Sequence, residues 1–396
     1  MMNQSMNQQL VKVSNKSLVL QTIISETPVS RASISQKSGL NKGTVSSLVN
    51  ELIEEELIFE SGPGESSGGR RPVMLHFNQK AGFAIGIDLQ VNRLLAVLTD
   101  LQGEIIVEQT IKLADNHYSV VLSNFHSIIK ELMEKAPDSP YGIVGIGVGV
   151  PGIVNNSGMI VHAPNLHWKS IELKQELEAT YDLPVIIDNE ANGGAYGEKK
   201  FGAAKQSENV IYISAGTGIG VGIILNNQMY RGINGFSGEM GHTTIQAGGR
   251  KCVCGNKGCW ELYASERALL KEAKKVYQQD QIDLEDLIKY ANEKDKRALT
   301  IIHEIGLYLG YGINSIMNTF NPDEIIIGNR LASLEPFLQE PIEEVTNQNR
   351  YQFQQANLHI HFSTLATHST ALGMAAFVCE AFIRPKEGLS FLREFS

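Results

Sequence analysis

Cysteine is nearly absent from this sequence of 396 residues: there are four, and three of them crowd between Cys252 and Cys259. Tryptophan is rarer still, present as Trp168 and Trp260 alone. So few cysteines exclude a disulfide framework, and reduced thiols suit the cytoplasm. No apolar run reaches the ~18 residues that a membrane-crossing helix needs, so the chain reads as soluble. The first residues, M-M-N-Q-S-M-N-Q-Q, lack an apolar stretch and an early basic cluster, and predict no signal peptide. Positive charge is short as well. A net charge of -9 argues against a chain that grips nucleic acid along its whole length. What remains is 42% hydrophobic and long enough for two or three domains, each with its own core.

The stretch G-H-T-T-I-Q-A-G-G-R-K-C-V-C-G-N-K-G-C-W-E, Gly241 to Glu261, gathers His242, Cys252, Cys254 and Cys259. A soft tetrahedral ion takes thiolate and imidazole ligands, and Gly255 and Gly258 let a short loop wrap round it, so the set predicts zinc. Four protein ligands leave no position for water, which makes the ion structural rather than catalytic. Three reduced, buried cysteines are the plain alternative. Glu239 and Glu261 flank the run and read either as acceptors for sugar hydroxyls or as solvated surface acids.

The first fifty residues carry Lys12, Lys16, Arg31, Lys37 and Lys42 against Glu26 alone. A local basic face is therefore available inside an acidic protein. Leu18, Val19, Thr22 and Ile23 give Ser14 to Ser25 a helical apolar stripe that Thr27-Pro28 stops. Ser30 caps a short helix ending at Gly39; Asn41 caps a third, from Lys42 to about Glu55, that buries Val45, Leu48, Val49 and Leu52. Helix, glycine turn, helix is the helix-turn-helix order. Arg31, Asn41, Lys42, Thr44, Ser46 and Ser47 offer short polar or basic side chains to a major groove. Two strands, Leu57 to Glu60 and Val73 to Phe77, enclose G-P-G-E-S-S-G-G-R-R-P and complete a winged helix. Arg70 and Arg71 at the wing tip suit a minor groove.

From Phe83 three strands read as a meander, through Gly86-Ile87-Asp88, Leu94 to Thr99 and Glu104 to Ile111. G-E-M-G-H followed by C-x-C-G-x-x-G-C-x-E resembles the signature of the ROK family of repressors and sugar kinases. The likeness runs from about Ser17 to the C-terminal region, and within the family it is to the xylose-responsive repressors. It implies an α/β protein with an N-terminal winged helix-turn-helix domain and a two-lobed actin-like, hexokinase-like body. The expected domains are a DNA-binding core over 1–61, wing and linker over 62–80, a first lobe over 81–200 and a second over 201–396 that holds the zinc.

Kinases of this fold open on a glycine-rich Asp-x-Gly-x-Thr phosphate loop, where bare backbone approaches the nucleotide. Here the loop is Asp88-Leu89-Gln90-Val91-Asn92, without its glycine. Ser214 to Gly220 resembles the second phosphate loop and reads as inherited scaffold. In I-I-D-N-E-A-N, Asn189 matches the family's sugar-binding Asn, while Glu190 stands where kinases place the catalytic Asp. A base displaced by about 1 Å can lose ~100-fold in rate. Asn329 and Arg330 follow the strand Glu324 to Gly328 where kinases have small residues. The resemblance therefore implies a kept sugar site and a lost ATP site. Gly152, Asn165, Asn189, Glu190, Glu239, His242 and Glu261 are carried over as sugar-binding. His242 would serve zinc and sugar with opposite ring nitrogens.

The expected protein is thus no enzyme but a dimeric repressor of D-xylose utilisation genes, released from operator DNA by D-xylose. Dimerisation follows because one recognition helix reads too few base pairs. The rivals are a sugar kinase with an added DNA-binding domain and a repressor answering to glucose or N-acetylglucosamine. Trp168 and Trp260 read as packing and Cys379 as buried. Arg297 to Thr319 reads as a long helix at the lobe junction or dimer interface.

Overall fold

The computed structural model describes residues 2–63, 72–348 and 358–384. Arg70 and Arg71 lie outside the described residues. Helix α1 (Met2–Glu26) is longer than its apolar stripe predicts and stops ahead of Thr27-Pro28. Strand β1 (Val29–Ser30) leads to α2 (Arg31–Ser38), where the Ser30 side chain accepts from Ser33 N and Gly39 closes the helix at φ 70°. Helix α3 (Lys42–Glu54) follows with Val45, Leu48, Val49 and Leu52 buried, as the spacing predicts. Leu18, expected inside, is 41% exposed; the inner face of α1 is instead centred on Val19, Leu20 and Ile23. Strands β2 (Ile58–Pro63) and β3 (Val73–Phe77) form the wing hairpin, with β3 in the middle of the antiparallel order β1-β3-β2.

The body begins with the meander β4 (Phe83–Leu89), β5 (Arg93–Asp100) and β6 (Ile105–Lys112), then α4 (Tyr118–Lys135) and β7 (Ile143–Val150). Strands β8 (Ile153–Val154), β9 (Ile160–Ala163) and β10 (Trp168–Ile171) make a small sheet ahead of α5 (Leu173–Tyr181), β11 (Val185–Asn189) and α6 (Glu190–Lys200). The second half repeats the plan. A meander of β12 (Val210–Ala215), β13 (Ile219–Leu225) and β14 (Gln228–Met229) precedes α7 (Glu261–Ala264), α8 (Glu266–Tyr277), α9 (Leu284–Asn292) and α10 (Lys296–Phe320). Then come β15 (Glu324–Gly328), α11 (Glu335–Gln348), β16 (His359–Phe362) and α12 (Ser369–Ile383). The two sheets, β11-β7-β4-β5-β6 and β14-β13-β12-β15-β16, share one topology: an antiparallel meander with two parallel strands added beside its first strand. No internal repeat is visible in the sequence, because the pattern is kept in strand order and not in residues.

Chain order and spatial order part company at two helices. Helix α6, which follows the first sheet, packs on β12 and β13, and α12, which follows the second, packs on β4 and β7. They cross each other over glycines: a Cβ on Gly373 would lie 1.8 Å from Gly193 O, and one on Gly197 2.1 Å from Ser369 O. The far end of α12 enters the same hydrophobic cluster as the DNA-binding domain. Val19, Ile23, Val49, Leu52 and Leu75 share it with Ala84, Leu101, Val144, Val378 and Cys379. Segment 72–80 is therefore no free tether but β3 and a turn seated between two packed units. The apolar character of α12, from Thr370 to Cys379, reflects this burial. Helix α10 lies in the core of the second lobe, where Ile302, Ile305, Leu309 and Ile313 pack with Ile211, Ile325 and Ile327. Its placement at a lobe junction is corrected: the apolar side packs on the sheet of its own lobe.

Candidate functional site

A cleft of about 190 Å³ opens between the two halves and is lined by residues of both. From the first half come Gln90, Gly152, Asn165, Asn189 and Glu190; from the second Gly216, Gly218, Glu239, His242, Glu261, Asn329 and Arg330. The structure thus brings together all seven positions expected to meet sugar, from segments far apart in the chain. Two of them are partly spent on structure. Asn189 caps α6, accepting from Ala191 N at 2.7 Å, and its amide donates to Gly152 O at 2.9 Å. Asn165 accepts from Arg267 Nη1 at 3.1 Å, and the same guanidinium lies 3.6 Å from Glu261 Oε2. Arg267 on α8 therefore spans the cleft.

Glu190 stands in the first turn of α6 beside Asp88 at the end of β4. Among the described residues, Glu190 Oε2 and Asp88 Oδ1 are buried without hydrogen-bond partners. Burial, with the Asp88 charge added, pushes the Glu190 carboxyl from 4.5 up to about 8. Burial takes Asp88 to about 6, against the hydrogen bond from Gln90 and the Arg93 charge. Gln90 Nε2 donates to Asp88 Oδ2 at 2.6 Å while its Oε1 accepts from Arg93 Nε at 2.9 Å, so side chains fill the turn that a glycine loop would leave open. Opposite, Gly216 to Gly218 form the turn of an antiparallel hairpin between β12 and β13. Asn329, at φ 64° and ψ -160°, bonds Ser214 Oγ and Arg330 N, and Arg330 pairs with Glu266 and Glu285.

The ligand atoms of His242, Cys252, Cys254 and Cys259 all lie within 4.8 Å of one another. A tetrahedral ion with bonds of about 2.3 Å to sulfur and about 2.0 Å to nitrogen needs S···S edges of ~3.8 Å and S···N edges of ~3.5 Å. Cys254 and Cys259 stand 3.7 Å apart, and Cys252 Sγ stands 3.5 Å from His242 Nδ1. The four residues fit a metal centre. His242 Nε2 points the other way, 3.9 Å from Glu239 Oε2 in the cleft. Trp260, 1% exposed with its Nε1 donating to Tyr308 O at 2.8 Å, anchors the loop to α10. Trp168 is likewise buried, bonded to Asn116 O and edge-on to Tyr118. Both are packing residues.

In the helix-turn-helix, Lys42, Ser47 and Asn50 are exposed on α3, with Thr44 and Ser46 half-buried. Asn41 Oδ1 accepts from Thr44 N at 2.8 Å, so the cap occupies the oxygen expected to face bases. Arg31 pairs with Glu60 on the wing and bonds Asn50 Oδ1 at 2.9 Å, which holds it against the domain. Sequence reasoning missed Arg231, Arg267 and Thr370. Their signal is purely spatial, since each acts on a segment more than thirty residues away.

The family model described as the ROK family matches residues 84–381, starting just past the winged helix. The chain belongs to the ROK family. A xylose repressor of Bacillus spizizenii is 47% identical over 381 residues, covering 95% of this chain and 98% of that protein. The crystal structure of a ROK family transcriptional regulator, a homologue of the E. coli MLC protein, superposes with a TM-score of 0.81 at 27% identity, over 98% of this chain and 99% of that one. A ROK family glucokinase of Streptomyces griseus, in complex with glucose and AMPPNP, has a TM-score of 0.70 at 26% identity and covers 75% of this chain and 99% of its own. The ROK body is thus shared with repressors and kinases, and the winged helix with the regulator.

Proposed function

We propose that the protein is a dimeric transcriptional repressor that grips operator DNA through its winged helices and lets go when D-xylose fills the interlobe cleft. The observation that carries this reading is the single hydrophobic cluster joining α1, α3 and β3 to α12, whose other end packs at the sugar cleft. Thr370 Oγ1 of α12 bonds Glu190 O at 3.0 Å, so the helix touches the cleft directly. A sugar that binds one lobe arrangement more tightly than another shifts the helix and, with it, the DNA-binding domain. The likeness to named xylose repressors supports D-xylose as the sugar.

Carboxylates of Glu190, Glu239 and Glu261 supply hydroxyl acceptors, Asn165 and Asn189 amide groups, and Gly152 close backbone. Zinc is the ion we assign to the Cys3His centre, where it supplies a rigid cross-link and no reaction step. His242, with Nδ1 toward the thiols and Nε2 toward Glu239, is set to hold zinc and sugar at once. Three thiol ligands that must stay reduced fit a cytoplasmic protein.

The same cleft speaks against phosphoryl transfer. Gln90 fills the phosphate turn, Glu190 replaces the shorter base, and Arg330 is engaged by Glu266 and Glu285 beside the glycine hairpin. Calorimetric titration with D-xylose, repeated with ATP and magnesium, tests the reading together with operator binding by fluorescence anisotropy. Xylose heat, operator release and no ATP turnover are expected. Sugar-dependent ATP consumption would make the protein a kinase, and a response to glucose or N-acetylglucosamine in place of xylose would reassign the inducer.

A further inference from the structure

Arg231 belongs to none of the motifs that mark this family and does not line the cleft. It follows β14 in the second half, yet its side chain reaches the first. Nε and Nη2 lie 2.9 and 2.8 Å from Asp188 Oδ2, and both side chains are only 10% exposed. Asp188 is the penultimate residue of β11. Its other oxygen accepts from Asn189 N at 2.7 Å and from Asn192 Nδ2 at 2.8 Å, which locks the turn from β11 into α6. That turn presents Asn189 and Glu190 to the cleft.

The chain beyond Arg231 carries the other side of the site. Ser237 N bonds Arg231 O at 3.0 Å, and Glu239 and His242 follow within the same strip. One carboxylate therefore holds two things together: the strip bearing Asn189 and Glu190, and the strip bearing Glu239 and His242. Arg231 also lies over the Phe377 ring of α12 at 5.3 Å, and Phe377 stacks on Tyr196 of α6 at 4.0 Å. The ion pair thus sits where both crossing helices meet the two strips.

We infer that Arg231 is a positioning residue for the sugar site: its buried ion pair with Asp188 sets the distance between the Asn189–Glu190 strip and the Glu239–His242 strip, and so the lobe arrangement that the sugar selects. The inference rests on the proposed sugar-responsive reading. Physically, a buried pair of this kind resists separation because either charge left alone in the interior is strongly disfavoured. Lysine keeps the charge but makes a single contact where the guanidinium makes two, so it replaces arginine in part.

The test uses the full-length protein and calorimetric titration with D-xylose, glucose and N-acetylglucosamine. Arg231→Met and Asp188→Asn are each expected to weaken binding of the responding sugar about tenfold or more. The double variant should bind no worse than the weaker single one, and Arg231→Lys should recover part of the loss. Should Arg231→Met fail to fold, Arg231→Lys alone decides, with a roughly threefold or larger loss of affinity expected at unchanged Tm. Unchanged affinity in the variants, or single effects that add in the double, overturns the role of Arg231 while leaving the sugar reading intact. An unsubstituted protein that gives no heat with any of the three sugars overturns that reading and this inference with it.

Discussion

Three carboxyls, Asp88, Glu190 and Glu239, lie in or beside the cleft with Glu190 close to the other two, and each is pushed upward chiefly by desolvation. A carboxyl whose folded value rises from 4.5 to about 8 keeps a proton that the unfolded chain releases, so its contribution to stability falls as pH climbs through that window. Glu190→Gln removes this loss. Its advantage over the parent should be absent near pH 4.5, grow to on the order of 1–3 kcal/mol by pH 8, and read out as a widening gap in thermal melts. At the metal loop, Cys254→Ser should abolish retention of zinc after dialysis against a chelator and lower Tm by roughly 5 °C, measured by metal analysis and calorimetry. Full zinc content in that variant would remove Cys254 from the ligand set.

The elements that matter most are α3 and the crossing pair α6 and α12. The pair meets with no room for a side chain at Gly373, so Gly373→Ala must force the helices apart or twist them. Overpacking of this kind costs about 1–3 kcal/mol, which denaturant unfolding would register, and operator release should weaken with it if α12 carries the signal. On α3, Lys42 is exposed at the first helical position, and the proposed function gives it a phosphate contact. Lys42→Ala should lower operator affinity evenly across sequences and reduce the slope of log affinity against log salt by about 1.

For the whole molecule, the first fifty residues carry five basic groups against one acid, inside a chain whose net charge is -9. On the proposed reading, recognition falls to the winged helices, and one recognition helix reads too few base pairs for useful specificity. A dimer should therefore protect two half-sites about 10–10.5 base pairs apart, or a multiple of that, in footprinting. A footprint from a single half-site with a monomeric sedimentation profile would contradict this arrangement.

Local signals determined a good deal without any coordinates. The caps at Ser30 and Asn41, the left-handed Gly39 and the wing strand Val73–Phe77 all follow from patterns a few residues long, where hydrogen bonding and side-chain period act directly. The Cys3His set was legible for the same reason, since its spacing in the chain is close to its spacing in space. Tertiary structure alone decided which long-range partners meet. Leu18 turns outward although its apolar character suited the core, α10 is buried under its own sheet, and Asn41 and Arg31 spend their polar groups inside the domain. It also decided that α12 crosses to the other half, that Asp88 lies against Glu190 and that Arg231 meets Asp188. Such pairings depend on how two separately formed sheets face each other, and chain order carries no local trace of that.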